Sequence, residues 1–305
     1  MKKCLLAMFF FPVVASATDD RLPHQKDWPQ EAVVTVGDVR TRIDGPKLWT
    51  MSGLEFQDQV VATEESAYGT VVTIRGAGHL GTAHFLLIPD KPGEVEKENV
   101  LSLQFFLDDK LVTKFSPDMD LKGKSFRMER ESKIRDLDLK STVSLKDDVL
   151  IETERWHATK PIDLKVSYPL MYAWTPGATH YAFGDDSGLQ KDGVFRKEGK
   201  SDDGGLEKSS RWMAVFNAAN GKGSVLYLLQ HPSDVETSLQ WTDAPGVYRK
   251  LRVMTFVEKV VPEGFTGTYQ SAVGFFTATE ADWKEQASKR AAEVGAYGKK
   301  YAGQK

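Results

Sequence analysis

The 305-residue chain has one cysteine, Cys4, and no strongly basic run. Because Cys4 precedes residue 18, the rest of the chain offers no thiol for a disulfide, a thiolate metal site or a cysteine nucleophile. The 40 basic and 43 acidic side chains are interspersed and give a net charge of −3, which argues against a nucleic-acid partner. After the first 17 residues, no segment is apolar enough to predict a membrane span.

The first 17 residues have the pattern of an export signal. Lys2 and Lys3 precede an apolar run that closes on Ala15-Ser-Ala17, the small-x-small pattern of a signal peptidase site. Cys4 precedes the run, whereas a lipoprotein cysteine would follow it. We therefore expect residues 1–17 to be a signal peptide and residues 18–305 to form one domain, secreted or periplasmic, with no membrane association after cleavage.

Most of the remaining chain predicts β-strands, because alternating, β-branched and aromatic residues recur between turn residues. The predicted strands cover 33–39, 48–56, 70–75, 84–88, 100–107, 149–157, 162–168, 211–216, 224–230, 238–241, 248–257 and 269–276. Turn residues predict hairpins at 107–111 and 217–223. No strand–helix alternation appears, so the pattern predicts an all-β fold of two large antiparallel sheets packed face to face.

One helix is predicted near the C-terminus, over 280–294. Thr279 and Asp282 have capping-box spacing, and Gly295 suits a helix stop. Trp283, Ala287, Ala291 and Val294 share a face that we expect to pack on a sheet. The glycine-rich segment 185–205 predicts a long exposed loop or hairpin, either a binding loop or a flexible connection.

Three clusters contain residue types that carry chemistry. In the first, His79 and His84 flank a glycine-rich turn, but their spacing matches no established zinc motif. We expect structural histidines rather than metal ligands there, and we predict no metal and no cofactor.

The second cluster lies within the strand predicted at 149–157. Its alternation places Glu152, Glu154 and Trp156 on one face and Arg155 with His157 on the other. Such a strand suits a polar concave surface, where Trp stacks on a sugar ring while Arg and Glu bind its hydroxyls. The alternative is an outer strand whose charges face solvent.

The third cluster, over 168–181, combines prolines with Tyr168, Tyr172, Trp174 and His180. Such an irregular aromatic segment either lines a binding groove or closes the end of a sandwich. Arg211 begins a further strand with a similar polar–aromatic pair. No motif for a serine hydrolase, a phosphate loop, a zinc protease or a calcium loop occurs.

These segments together resemble the galactose mutarotase-like β-supersandwich superfamily. The resemblance is carried by Gly78-His-Leu-Gly-Thr-Ala-His84, Arg155-Trp-His157, the segment 168–176 and Arg211-Trp-Met-Ala-Val-Phe216. It implies a large antiparallel β-supersandwich with a C-terminal α-helix and a carbohydrate or polysaccharide as partner. The asparagine-containing elements of aldose epimerases do not occur, so the resemblance does not extend to epimerase chemistry.

The main hypothesis is an exported protein that binds or processes a carbohydrate on a concave sheet face. We expect His79, His84, Arg155, Trp174 and Arg211 to contact the ligand. For catalysis, the candidates are His157, Glu154 and His180.

Two alternatives stay open at this point. One is a non-catalytic structural or interaction module of the cell envelope. The other is a sugar epimerase or polysaccharide lyase with a His–Glu or Tyr–Arg acid/base pair.

Overall fold

The computed structural model describes residues 22–63, 69–76, 78–81 and 96–302. In these residues the strands are β1 (Glu31–Val36), β2 (Val39–Asp44), β3 (Thr50–Phe56), β4 (Gln59–Ala62), β5 (Val71–Ile74), β6 (Gly78–Gly81), β7 (Glu96–Lys97), β8 (Asn99–Leu107), β9 (Lys110–Leu111), β10 (Asp118–Gly123), β11 (Ser125–Ile134), β12 (Leu137–Lys146), β13 (Val149–Ala158), β14 (Ile162–Tyr168), β15 (Leu170–Trp174), β16 (His180–Asp185), β17 (Gly188–Val194), β18 (Asp202–Gly205), β19 (Trp212–Asn217), β20 (Lys222–Gln230), β21 (Thr237–Ala244), β22 (Tyr248–Thr255), β23 (Lys259–Val261) and β24 (Thr266–Thr277). The α-helix is α1 (Trp283–Ala302), and short 3-10 helices occur at Pro23–Gln25 and Gly45–Lys47.

The predicted all-β fold and its two large sheets are present, but the strands also form a third, smaller sheet that was not predicted. The nine-stranded sheet has the order β10-β1-β2-β3-β4-β15-β22-β21-β18. The ten-stranded sheet has the order β17-β16-β19-β20-β24-β13-β12-β11-β8-β9, and the five-stranded sheet has the order β23-β14-β5-β6-β7. All pairings in the described residues are antiparallel except β1 with β10 and β6 with β7.

The main hydrophobic core lies between the nine-stranded and the ten-stranded sheets. Phe56 of β3 stacks on Phe275 of β24 with 5.3 Å between the ring centroids, so the two sheets are in direct contact. A second core joins all three sheets, with Leu164 of β14, Trp156 of β13 and Val253 of β22 among its members. Burial alternates along β11, because successive side chains point to opposite faces of the sheet and only one face enters a core.

Helix α1 packs on the opposite face of the ten-stranded sheet. Trp283, Ala287, Ala291 and Val294 are all buried there, as their helical spacing predicts. The backbone N–H of Thr279 donates to the Asp282 carboxylate at 2.7 Å, which confirms the predicted capping contact, but the helix begins at Trp283, three residues later than predicted. Because helix and core cover its two faces, the central strand β24 is buried along most of its length. Within the described part of the chain, no helix is long and apolar enough to cross a membrane.

The predicted helix stop at Gly295 is wrong, because α1 continues to Ala302. Gly295 permits close packing: a Cβ atom there would lie 2.8 Å from the Tyr227 ring of β20. Gly298 has the same relation to Leu229, at 2.4 Å from a side-chain carbon. These glycines therefore allow the helix to approach the sheet closely.

Both predicted hairpins are present. Asp108 and Asp109 adopt positive φ in the turn between β8 and β9, and β19 pairs with β20 through the predicted turn after Asn217. The glycine-rich segment at 185–205 includes a hairpin, one of the two predicted forms, because β17 pairs antiparallel with β16. Its strand β17 lies at the edge of the ten-stranded sheet and β18 at the edge of the nine-stranded sheet, so the segment connects the two.

A polar cluster lies in the interior, which we call the carboxyl cluster: Glu98, Arg130, Glu152 and Glu154. Each of these side chains is at most 3% exposed. Arg130 forms an ion pair with Glu98 at 3.1 Å and donates to the Leu48 carbonyl at 2.8 Å. The three carboxyls therefore share a single buried cation.

Hydroxyl groups complete the hydrogen bonding of the carboxyl cluster. Ser141 donates to Glu154 at 2.8 Å, and the Tyr172 hydroxyl donates to Glu152 at 2.5 Å. Burial raises the pKa of Glu152 to about 7, against the opposing hydrogen bond from Tyr172. Burial and the neighbouring Glu152 raise the pKa of Glu154 to about 8. Both carboxyls are therefore protonated more readily in the folded than in the unfolded chain.

We predict that the free energy of unfolding falls as the pH rises from about 5 to about 8, where the folded chain binds more protons at Glu152 and Glu154 than the unfolded chain. Glu154→Gln keeps a partner for Ser141 but cannot ionise, so its decline over this range should be smaller. Urea unfolding at several pH values measures both slopes. Glu263→Gln, at an exposed position, should follow the wild type; equal slopes for Glu154→Gln and wild type would contradict the prediction.

We also predict that Gly295→Ala lowers the free energy of unfolding by about 1 kcal/mol, although alanine favours helix. The clash with the Tyr227 ring costs about 1–3 kcal/mol, which exceeds the gain of roughly 1 kcal/mol in helix propensity. Chemical unfolding measures the change. Lys289→Ala, at an exposed position of α1, is the control and should change little; a more stable Gly295→Ala variant would refute the packing argument.

Candidate functional site

The residues that the sequence identified as a possible site lie in separate parts of the fold. Trp174 is 1% exposed in the main core and stacks on Tyr172 at 5.7 Å between ring centroids. Its ring therefore presents no open face to a ligand. We expected Trp174 to contact the ligand, but the structure places it in the main core.

The strand β13 contributes to two different environments. Glu154 belongs to the carboxyl cluster and Trp156 to the second core, so this face of β13 is interior rather than an open polar surface. Arg155 and His157 are exposed on the opposite face, where His157 lies 3.5 Å from Asp138. The sheet pairing explains the difference, because successive side chains of a strand point to opposite faces.

His180 and Arg211 lie near the helix-bearing side of the ten-stranded sheet. His180 hydrogen-bonds Thr179 at 2.8 Å and packs against Trp283 of α1 at 5.4 Å between ring centroids. Arg211 precedes β19, and its backbone N–H donates to the Gly184 carbonyl at 2.7 Å. His79 lies in β6, and His84 lies outside the described residues. The described residues of this set do not converge on one site, and their roles stay predictions.

A different group of polar and aromatic side chains does converge. It lies at the face of the nine-stranded sheet that points away from the main core, and we call it the outer-face cluster: Gln240, Thr242, Tyr248, Lys250 and Arg252 of that sheet, together with Tyr168 at the end of β14 in the five-stranded sheet. The pairing of β21 with β22 sets Thr242 beside Lys250 and Gln240 beside Arg252. Alternation places their neighbours Leu251 and Val253 in the cores on the other face.

Lys250 is the centre of the outer-face cluster. Its side chain is buried, and its ammonium lies 5.2 Å from the centre of the Tyr248 ring and 5.9 Å from that of Tyr168. Burial and repulsion from Arg252 lower the pKa of Lys250 to about 8. A lysine with such a pKa can both accept and donate a proton near neutral pH.

Arg252 is held in place by three partners. Its guanidinium donates to Thr242 at 2.9 Å and to Gln240 at 3.3 Å, and it forms an ion pair with Asp203 of β18 at 3.2 Å. Arg252 also lies 5.9 Å from the Tyr168 ring centre. These contacts fix a rigid donor array beside the two tyrosines.

An apolar patch borders the outer-face cluster. Tyr168 packs there with Val71, Met171 and Met254, and all four are buried. Burial raises the pKa of Tyr168, and it also raises the pKa of Tyr248, so both tyrosines remain neutral hydroxyl donors near neutral pH. Aromatic rings, a fixed guanidinium and an ammonium on one sheet face are the groups that bind sugar rings and their hydroxyls.

Sequence reasoning found part of this cluster only. Tyr168 lies in the aromatic segment that it singled out, but Tyr248, Lys250 and Arg252 were treated as a plain strand. The sequence signal for this cluster is the alternation of Lys250 and Arg252 with the apolar Leu251 and Val253. Placing two cations on one face of a strand inside a sheet is costly unless polar partners surround them. In the described parts of the chain, no group of three or more His, Cys, Asp or Glu side chains is placed to hold a metal ion.

Comparisons with known proteins identify structures of similar fold. No family model matches the chain, and no curated protein matches its sequence. The Slr1438 protein from Synechocystis sp. PCC 6803 superposes with a TM-score of 0.50 at 10% identity, over 82% of this chain and 97% of that one. A putative aldose 1-epimerase from Escherichia coli K12 gives a TM-score of 0.46 at 9% identity, over 81% of this chain and 99% of that one.

Larger proteins also contain a similar domain. The galactosidase domain of the α-galactosidase–sucrose kinase AgaSK gives a TM-score of 0.49 at 7% identity and covers 81% of this chain. The present chain spans only 40% of that chain's length. A galactose mutarotase-like protein from Clostridium acetobutylicum gives a TM-score of 0.45 at 8% identity, over 80% of this chain and 94% of that one.

These similarities concern the fold, which agrees with the sheets and the C-terminal helix described above. In its described residues the chain has an antiparallel β-sandwich fold with a single C-terminal α-helix, and it shares this fold with the Slr1438 protein over most of both chains.

Proposed function

We propose that the protein binds a carbohydrate at the outer-face cluster of the nine-stranded sheet. The observation that carries the proposal is the position of Lys250 between the rings of Tyr168 and Tyr248, with Arg252 fixed beside them. Tyr248 is half-buried and would supply the ring for a sugar, whereas Tyr168 is buried and lies 5.9 Å from the ammonium. The carbohydrate-related fold supports the same ligand class.

The buried lysine is hard to explain by stability alone. A structural residue at this position would be apolar, because burying an ammonium is costly and the strand lies in the middle of a sheet. Groups with perturbed pKa values beside specific charged partners are enriched at functional sites. Lys250, desolvated and next to Arg252, has this character.

Tyr248→Ala should weaken saccharide binding by about fivefold or more, because the ring stacking of a sugar is worth on the order of 1 kcal/mol. A glycan array identifies ligands, and calorimetry on the best of them gives the affinities. Tyr181→Ala, at a half-buried tyrosine of β16 that packs against the main core, is the matched control for loss of a tyrosine ring.

Binding that survives both Tyr248→Ala and Lys250→Met in folded variants would refute this site. A flat profile across diverse glycans would favour the non-catalytic interaction module instead. Thermal unfolding of each variant separates a loss of affinity from a loss of fold.

A second candidate function is an enzyme in which Lys250 transfers a proton to or from the bound sugar. The lowered pKa of about 8 favours it, together with the neighbouring Tyr168 and Arg252, a Tyr–Arg pair of the kind expected for a lyase or epimerase. Arg252 would stabilise a developing negative charge on the sugar. The pH at which Lys250 loses its proton therefore decides whether this chemistry is available.

We predict that Lys250 reacts with an amine-selective reagent with a midpoint near pH 8 rather than near the usual lysine value. Peptide mass spectrometry after brief labelling at a series of pH values measures the midpoint. Lys289 is the internal control, because it is exposed on α1. An identical midpoint for both lysines would remove the argument for proton transfer.

We further propose that the protein is exported and that its mature form begins near Thr18. The charged start, the apolar run and Ala15-Ser-Ala17 support this proposal. N-terminal sequencing of the protein recovered from the periplasm or medium tests it. A full-length cytoplasmic product would contradict it.

A further inference from the structure

After β17 the chain crosses from the ten-stranded sheet to the nine-stranded sheet, and we call residues 197–205, which include β18, the strap. The strap lies between two anchors and is exposed along most of its length. At the first anchor, Phe195 is buried in the main core and Arg249 donates to the Arg196 carbonyl at 2.7 Å. At the second, the backbone N–H of Leu206 donates to a carbonyl of β21 at 3.0 Å.

The first anchor contains a buried ion pair. Arg249 lies 2.5 Å from Asp243, and both side chains are 4% exposed. Asp243 also accepts hydrogen bonds from the backbone N–H of Arg196 at 3.0 Å and from its guanidinium at 3.1 Å. The Arg249 guanidinium lies 4.9 Å from the centre of the Phe195 ring. The chain is therefore firmly held where it enters the strap.

The strap brings a carboxylate to the outer-face cluster. Asp203 stands opposite Thr242 of β21, which in turn stands opposite Lys250 of β22. Directly opposed residues share a face of the sheet, so Asp203 lies on the same face as Lys250. One oxygen of Asp203 accepts the Thr242 hydroxyl and lies 3.2 Å from the Arg252 guanidinium. The Asp203 side chain is 62% exposed, whereas that of Arg252 is 14% exposed.

The strap is held less firmly than its anchors. Its strand β18 has four residues, two of them glycines, and it lies at the edge of the sheet. Gly204 permits the pairing with β21, because a Cβ atom there would lie 2.5 Å from the Trp241 ring. An ion pair whose carboxylate is exposed to solvent is weak, so the contact of Asp203 with Arg252 costs little to open. The strap therefore has two firm ends and a weak contact between them.

We propose that the strap is a latch for Arg252, in which Asp203 is a positioning residue that holds the guanidinium across β21 for the ligand. Arg252 of β22 reaches Asp203 of β18 over β21, the strand between them. A side chain that is already held in one position loses less entropy on binding than a free one. Latching and ligand binding therefore stabilise each other, as linked equilibria require. This inference rests on the proposed function and adds Asp203 to it.

Asp203→Asn tests the latch without a ligand, because asparagine keeps the size of the side chain and removes its charge. Burial and Arg252 lower the pKa of Lys250, whereas the Asp203 carboxylate raises it. The amine-labelling midpoint of Lys250 should therefore fall in the variant, and hydrogen exchange at 202–205 should become faster. Asp202→Asn, on the opposite face of β18, is the matched control and should change neither. Asp203→Glu restores the carboxylate and should recover most of both values.

Calorimetry with lactose, maltose and cellobiose tests the coupling of the latch to ligand binding on the mature protein. At least one of these disaccharides should bind the wild type and slow hydrogen exchange in the strap. Asp203→Asn should weaken that binding by about threefold, in line with the small energy of an exposed ion pair. Asp203→Glu should bind more tightly than Asp203→Asn, and Asp202→Asn should match the wild type.

An unchanged Lys250 midpoint in Asp203→Asn would overturn the latch, and so would equal effects of Asp202→Asn and Asp203→Asn. Binding that is lost in Tyr248→Ala but unchanged in Asp203→Asn would keep the proposed function and reject the latch. If none of the three disaccharides binds the wild type, the coupling is overturned, while the glycan array decides the proposed function separately.

Discussion

Arg130 is the cation around which the interior of the sandwich is arranged. It lies on β11, pairs with Glu98 near the start of β8, and reaches the Leu48 carbonyl before β3. Glu152 and Glu154 of β13 stand close enough for the charge of Arg130 to act on both. Removing one member of such a cluster leaves buried charge without compensation, which costs more than most apolar substitutions. The register of the strands that carry these residues is therefore strongly determined.

The two large sheets differ in the side chains that their outer faces carry. The ten-stranded sheet uses one face for the core and much of the other for α1, so its central strands carry apolar residues on both sides. On the nine-stranded sheet, the inner face is equally apolar. Its outer face carries Tyr248, Lys250 and Arg252, which are every second residue of β22.

The fold was predictable from the sequence because its determinants are local. Alternation gave many of the strands, although β10, β11 and β12 were not among the predicted ones. Aspartates and glycines gave the turns, and Thr279 with Asp282 gave the start of α1 to within three residues. The end of α1 was not predictable from the same rules. Gly295 has the chemistry of a helix stop, but the proximity of Tyr227, a residue distant in sequence, gives the glycine a packing role instead.

The candidate site was much less predictable, for a related reason. Residue type alone ranked Trp174, His157 and Glu154 highly, but burial and sheet pairing place these residues in a core, on a surface and in the carboxyl cluster. The pairing of β15 with β22 joins residues separated by about 80 positions, which single-strand alternation cannot reveal. Only Tyr168 belonged to both the predicted aromatic segment and the outer-face cluster.

Hydrogen–deuterium exchange with and without a bound oligosaccharide tests the central claim most directly, since it maps the ligand without any substitution. The account predicts slower exchange in peptides that cover β21, β22 and the end of β14, with little change in β13 and β16. Protection that is confined to strands carrying His157 or His180, with none at Tyr248, Lys250 and Arg252, would contradict it.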